Sequence, residues 1–167
     1  MPQLSFEAVY SDEHVLEILA SATNGRFSGV SVFYLGANAK ELIDFGNQIK
    51  GFPKSISQKE EIEFGFTQKD HEEFQKTKKS DPNAKLAPAY IGLRFSCTDG
   101  VGHPVVFVNL HEDDWSQRSE AVGKASFEIR FEPAQIDNFA NEIIELAQKK
   151  SGKATLTGIH DDKDNFF

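Results

Sequence analysis

Along the first third of the chain, apolar and polar residues alternate. "LSFEAVY" sets Leu4, Phe6 and Ala8 against Ser5 and Glu7, the period-two pattern of a half-buried strand. "HVLEILAS" and "RFSGVSVFYL" flank "TNGR", and Asn24-Gly25 predicts a hairpin because both central turn positions favour positive φ. Together these three strands predict a meander. The period then lengthens in "NAKELIDFGNQIKGFP", where Leu42, Phe45 and Ile49 recur at helical spacing. Asn38 with Glu41 three positions on has the form of a capping box, and Gly51 and Pro53 form a stop, so a helix is expected near 38–50. "EIEFGF" returns to period two, with Ile62, Phe64 and Phe66 on one side.

Residues 67–88 are polar, Lys-rich and broken by Pro82 and Pro88. They read as an exposed excursion, with room for a short helix at 69–79. Three β segments follow, at 89–98, 103–111 and 120–132, with Asp99-Gly100 turning the first into the second. Pro133 suits the first position of a helix, where its missing N–H costs nothing. Ile136, Phe139, Ala140, Ile143 and Ala147 then form one apolar stripe, predicting a helix near 133–150 that Gly152 stops. "ATLTGI" has room for an edge strand, and 160–167 reads as a loose tail. The expected fold class is α+β: about seven strands, largely antiparallel, in one sheet or two, with two principal helices and no regular β-α-β alternation. With no repeat and no dividing linker, residues 1–167 are expected to form one domain.

Composition adds two points. Phenylalanine accounts for 15 residues against three Tyr and one Trp, which predicts a core built on rings. The net charge of −8 disfavours binding to a nucleic-acid backbone, which depends on Lys and Arg. It suits a basic protein partner, although an acidic surface also serves plain solubility. Cys97 is the only cysteine, and its phase with Ile91, Leu93 and Phe95 places it on a buried strand face. The N-terminal residues carry neither a basic region nor an apolar run, and no stretch is long enough to span a membrane. The expected location is the cytoplasm.

Candidate chemistry centres on "HEDDW", His111 to Trp115. It begins like the zinc-protease signature H-E-x-x-H, but Trp115 stands where the second histidine is needed. "PVVFVNL" just before it is β-branched, so His111 is expected to end a strand. His103 and His111 bracket that strand and lie roughly 26 Å apart if it is extended, too far to share a metal. Gly100 and Gly102 belong to a turn between strands and not to a phosphate-binding strand-to-helix loop. "HDDKDNFF" breaks the calcium-loop register at the third ligand. These readings assign no catalytic residue, metal or cofactor. Glu112, Asp113, Asp114 and Trp115 are left as a candidate partner-binding loop, with acids for the rim and an aromatic anchor.

The order of elements resembles a known group. A β-meander precedes a helix ending in "GFP" (51–53), followed by "EIEFGF", "IGLRFSCTDGVGHPVVFVNL" and "FEIRFEPAQIDNFANEIIEL". Over roughly residues 5–150 this is similar to the small immunity proteins of bacterial polymorphic toxin systems, the WapI-type immunity family. Its most specific pieces are Gly102-His103 leading into a strand and Glu132-Pro133 leading into the last helix, with Phe139 on that helix's apolar face. Residues 67–88 and those after 155 have no place in the pattern. The resemblance implies a non-catalytic inhibitor that binds a cognate toxin effector domain, while the charge and the lack of a long apolar run lead us to expect no nucleic-acid or membrane partner. Two other classes stay open: a generic ligand-binding or scaffold domain, and a small metal-dependent hydrolase.

Overall fold

The structure, a computed structural model, describes residues 1–65, 67, 70, 72, 73, 76, 89–100, 102–112 and 123–160. The expected meander forms: β1 (Gln3–Ser11), β2 (Val15–Thr23) and β3 (Ser28–Gly36) pair antiparallel in sequence order. Helix α1 (Lys40–Ile49) follows. Then come β4 (Glu60–Gly65), β5 (Tyr90–Cys97), β6 (Pro104–His111) and β7 (Lys124–Arg130), again paired antiparallel in order. Helix α2 (Pro133–Lys149) and β8 (Lys153–Thr157) complete the described elements. The eighth strand pairs antiparallel with β1, so the fold is α+β with two four-stranded sheets, ordered β3-β2-β1-β8 and β4-β5-β6-β7.

Alternation explains which residues face inward. In β2, Leu16, Ile18, Ala20 and Ala22 are buried while the residues between them are half-buried. In the second sheet Ile62, Phe64, Ile91, Leu93, Phe95, Val106, Val108, Leu110, Phe127 and Ile129 all enter the core. β3 touches every strand of the second sheet. Its Phe33 stacks on Phe64 of β4 with ring centroids 4.9 Å apart. A Cβ on its Gly29 would lie 3.2 Å from both Leu110 of β6 and Ala125 of β7. β3 therefore runs across one end of the second sheet, and Ser31 fastens it there by donating to the His111 carbonyl (3.1 Å).

The helices close the rest of the core. Phe45 of α1 and Phe139 of α2 each meet Phe6 of β1, and Phe45 also meets Phe64 and Phe95. These are mostly edge-on or tilted contacts, the geometry that aromatic quadrupoles favour. The helices approach closely at Gly46, where a Cβ would lie 2.6 Å from Ile144 Cγ1 and 2.9 Å from the Ala140 carbonyl oxygen. The Gly51 N–H donates to Asp137 Oδ1 (2.7 Å), tying the end of α1 to the second turn of α2.

Local details differ from the expectations. The β2–β3 turn takes four residues, Asn24 to Phe27, and only Gly25 has positive φ (95°). The Asn24 side chain does the turning instead, accepting the N–H groups of Arg26 (2.9 Å) and Phe27 (2.8 Å). At the start of α1, Ala39 takes the left-handed conformation (φ 49°), so the helix begins at Lys40 without a side-chain cap. Asn38 Oδ1 reaches only the Lys40 N–H (3.3 Å) and the capping box does not form. β7 is described from Lys124, four residues past the expected start. Cys97 is half-buried at the end of its strand rather than enclosed. The excursion at 67–88 lies, but for five residues, outside the described residues, as do Phe66 and the tail from 161. Among the described residues no helix is long and apolar enough to cross a membrane.

Candidate functional site

The outward face of the second sheet carries the residues that core packing does not use. Register sets them in rows across the four strands. One row holds Glu61, Arg94, Phe107 and Glu128, and the next holds Glu63, Gly92, Asn109 and Ser126. A third holds Gly65, Tyr90, His111 and Lys124. Of these, Glu61, Glu63, Tyr90, Gly92, Arg94, Phe107 and Asn109 line an open groove of about 620 Å³ centred on β5.

Gly92 shapes the groove. Lacking a side chain, it leaves a gap into which the Tyr90 ring folds, since residues two apart on a strand share a face. A Cβ on Gly92 would lie 2.2 Å from Tyr90 Oη. Lying there, the Tyr90 hydroxyl donates to Glu63 Oε1 on the neighbouring strand (3.1 Å). Burial, and then the negative charge of Glu63, push the Tyr90 phenol up to about 12. It is therefore a fixed hydrogen-bond donor at neutral pH, far from the near-neutral pKa that suits acid–base work.

The other groups are held as firmly. The His111 ring lies 5.2 Å from that of Tyr90. Burial, then the Lys124 charge, lower the His111 pKa, which keeps the imidazole neutral at pH 7. The Arg94 guanidinium sits 4.9 Å above the Phe107 ring, a cation–π contact. Ser126 Oγ donates to Asn109 Oδ1 (2.9 Å). The face thus offers two aromatic surfaces, fixed polar groups, and carboxylates gathered along the edge strand β4.

Of the residues singled out from sequence, His111 ends β6 as expected. Glu112 follows it and is exposed. The Glu112 N–H donates to the Gly123 carbonyl (3.0 Å), and its Oε1 accepts the Gly123 N–H (2.6 Å). Its carboxylate therefore clasps the neck of the 113–122 connection. Asp113, Asp114 and Trp115 lie outside the described residues. The neck opens beside the groove, because His111 and Lys124 share a row with Tyr90. The β4–β5 connection leaves from the same end, since Gly65 pairs with Tyr90. His103 lies at the opposite end, where its Nδ1 meets Asp99 Oδ2 (2.6 Å). Among the described residues, no three His, Cys, Asp or Glu side chains are placed to share a metal ion.

Sequence reasoning missed Glu63, Tyr90, Gly92, Arg94 and Phe107. Alternation in "EIEFGF" and "YIGLRFSC" already puts Glu61 and Glu63 on one face of β4 and Tyr90, Gly92 and Arg94 on one face of β5. What joins them is the cross-strand register, and that has no local signal. In comparison with known proteins, no family model, no curated protein and no solved structure matches this chain.

Proposed function

We propose that this chain is a non-catalytic protein-binding domain, an immunity protein that inhibits a cognate, basic toxin effector domain. The observation that carries the reading is the outward face of the second sheet. There Tyr90 and Phe107 stand as aromatic anchors on the same face as the carboxylates of Glu61 and Glu63, and the neck formed by Glu112 opens at the Tyr90 end of that face. Aromatic anchors ringed by polar groups are the usual anatomy of a protein interface. The net charge of −8 would steer a basic partner toward the molecule. The WapI-type resemblance supports the same reading. In it, Glu112, Asp113, Asp114 and Trp115 are the rim and anchor of the contact. The place of action is the bacterial cytoplasm.

The test is reconstitution. The chain is used to capture partners from its source cells at low and moderate salt, and a retained basic domain is then expressed alone and together with the chain. The reading expects a domain that is toxic alone, is neutralised at one-to-one stoichiometry, and is released by salt. A retained domain with no toxicity, or toxicity that the chain leaves untouched, refutes it.

One observation favours a second reading, that of a ligand-binding domain: the groove volume of about 620 Å³ falls within the range of small-molecule sites. A small molecule that copurifies and is displaced by Tyr90→Ala would favour this second reading.

A further inference from the structure

The four sheet edges are unequal. β4 carries Glu60, Glu61 and Glu63, β7 carries Lys124, Glu128 and Arg130, and β8 carries Lys153. Charges of this kind keep an open edge from pairing with another chain. β3, "SGVSVFYLG", has no charge, no proline and no register shift along its nine residues. Among the described residues it pairs with β2 alone.

The direction of its free backbone groups follows from the hairpin. The Asn24 N–H donates to the Phe27 carbonyl (3.1 Å), which makes that pair a hydrogen-bonded one. Bonded and non-bonded pairs alternate along an antiparallel ladder. Val30, Val32 and Tyr34 stand opposite Ser21, Leu19 and Glu17 and so fall on non-bonded pairs. Their N–H and C=O groups point away from β2, to the open edge. Their side chains point away from the core, with Val30 and Tyr34 each 56% exposed. The same three residues thus present both an unused ladder and an apolar row.

We propose that this edge is a self-association site, where β3 pairs antiparallel with β3 of a second copy to make one continuous eight-stranded sheet. The strand is complementary to itself about Val32. With Val32 opposite Val32 of the second copy, Val30 meets Tyr34 and Ser28 meets Gly36, so all nine residues overlap and every outward pair along the row is uncharged. Ser28 and Gly36 also stand on non-bonded pairs with β2, so five bonded pairs form across the two copies, with about ten backbone hydrogen bonds. An isologous contact of this kind closes as a two-fold dimer and leaves no edge for further growth at that site. A single strand pair is a small interface, so the dimer is concentration-dependent over roughly the micromolar to millimolar range. Each copy carries a net charge of −8, so salt strengthens the dimer by screening the repulsion between copies. A complex with a basic effector responds to salt in the opposite sense.

The test is sedimentation of the full chain over that concentration range, at low and moderate salt. The expected result is a mass that doubles with concentration. Val32→Lys, which sets like charges together on the two-fold axis, raises the dissociation constant at least tenfold. The double variant Val30→Lys, Tyr34→Lys sets like charges across the same register and weakens pairing, and Val30→Lys, Tyr34→Glu, which places opposite charges there, restores it. In a Cys97→Ser background, Val32→Cys forms an intermolecular disulfide under mild oxidation. Val30→Cys does not, because its copies stand four positions apart, roughly 13 Å. A monomer at every concentration overturns the proposal, as does a dimer indifferent to Val32→Lys or cross-linked at position 30 instead of 32. A chain that is monomeric alone but loses an effector domain through Val32→Lys would assign the edge to that partner, and self-pairing would fall.

Discussion

Replacing Gly92 with alanine puts a methyl carbon 2.2 Å from Tyr90 Oη and 2.9 Å from Cζ. The ring has to move about 1 Å or more to reach ordinary contact distance, taking 3.5–4.0 Å as optimal for carbon. Because the obstacle is the far end of a side chain, the phenol can swing out toward solvent. It then leaves Glu63, whose acceptance of the Tyr90 hydroxyl depends on the ring lying over Gly92. A hydrogen bond to a charged group is worth about 1.5–3 kcal/mol, and solvent screening at this half-exposed site reduces that to about 0.5–1 kcal/mol. Alanine in a strand recovers about 0.5–1 kcal/mol over glycine. The two effects offset, so Gly92→Ala should change the denaturation midpoint little while its tyrosine titration changes clearly. The assay follows tyrosinate absorbance with pH in wild type, Gly92→Ala and Tyr90→Phe, with the last assigning the Tyr90 step. In wild type that step lies near 12; in Gly92→Ala it should fall toward the ordinary tyrosine value near 10. A step still near 12 in Gly92→Ala, or a loss of more than about 2 kcal/mol, would refute the seat assigned to Tyr90.

Three further outcomes are expected. The folded Tyr90 pKa is raised, so its stabilising contribution is complete below the unfolded tyrosine value near 10 and is lost as pH rises through about 12. Tyr90→Phe should flatten that alkaline decline, read as denaturation midpoint against pH. Gly46→Ala crowds Ile144 and the Ala140 carbonyl where the helices meet. Overpacking costs about 1–3 kcal/mol, partly offset by about 1 kcal/mol of helix propensity, so the melting temperature should drop; an unchanged or raised one would contradict the close approach. Glu112→Ala removes the acceptor of the Gly123 N–H, and hydrogen exchange at that amide should accelerate about tenfold, the equivalent of about 1.4 kcal/mol.

Local order was legible where one period ran long enough. Leu42, Phe45 and Ile49, and the stripe from Ile136 to Ala147, are buried on their helices as their spacing requires. The meander and the later hairpins followed from alternation and turn residues. The make-up of the sheets was not legible, because the first gains its fourth strand only by β8 pairing with β1 across most of the chain. That contact has no local signature. The Asn38 cap failed for a local reason: Ala39 turns left-handed and carries the Asn38 side chain out of reach of the later N–H groups. The candidate face was half legible. Alternation separated Glu63 and Tyr90 from the core, but only register and the missing side chain of Gly92 bring them together. Glu112 was singled out for its charge, and its fold-level role as a clasp depends on Gly123, eleven residues away.

The central claim is that the chain inhibits an effector domain through the acidic and aromatic end of its second sheet. The measurement that tests it most directly is calorimetric titration of the effector domain into wild type, Glu112→Ala alone, and the variant with Glu112, Asp113, Asp114 and Trp115 all changed to alanine. The account predicts one-to-one binding to wild type that weakens with salt, and at least a tenfold loss in the fourfold variant beyond that of Glu112→Ala. Equal affinity for all three proteins would contradict it.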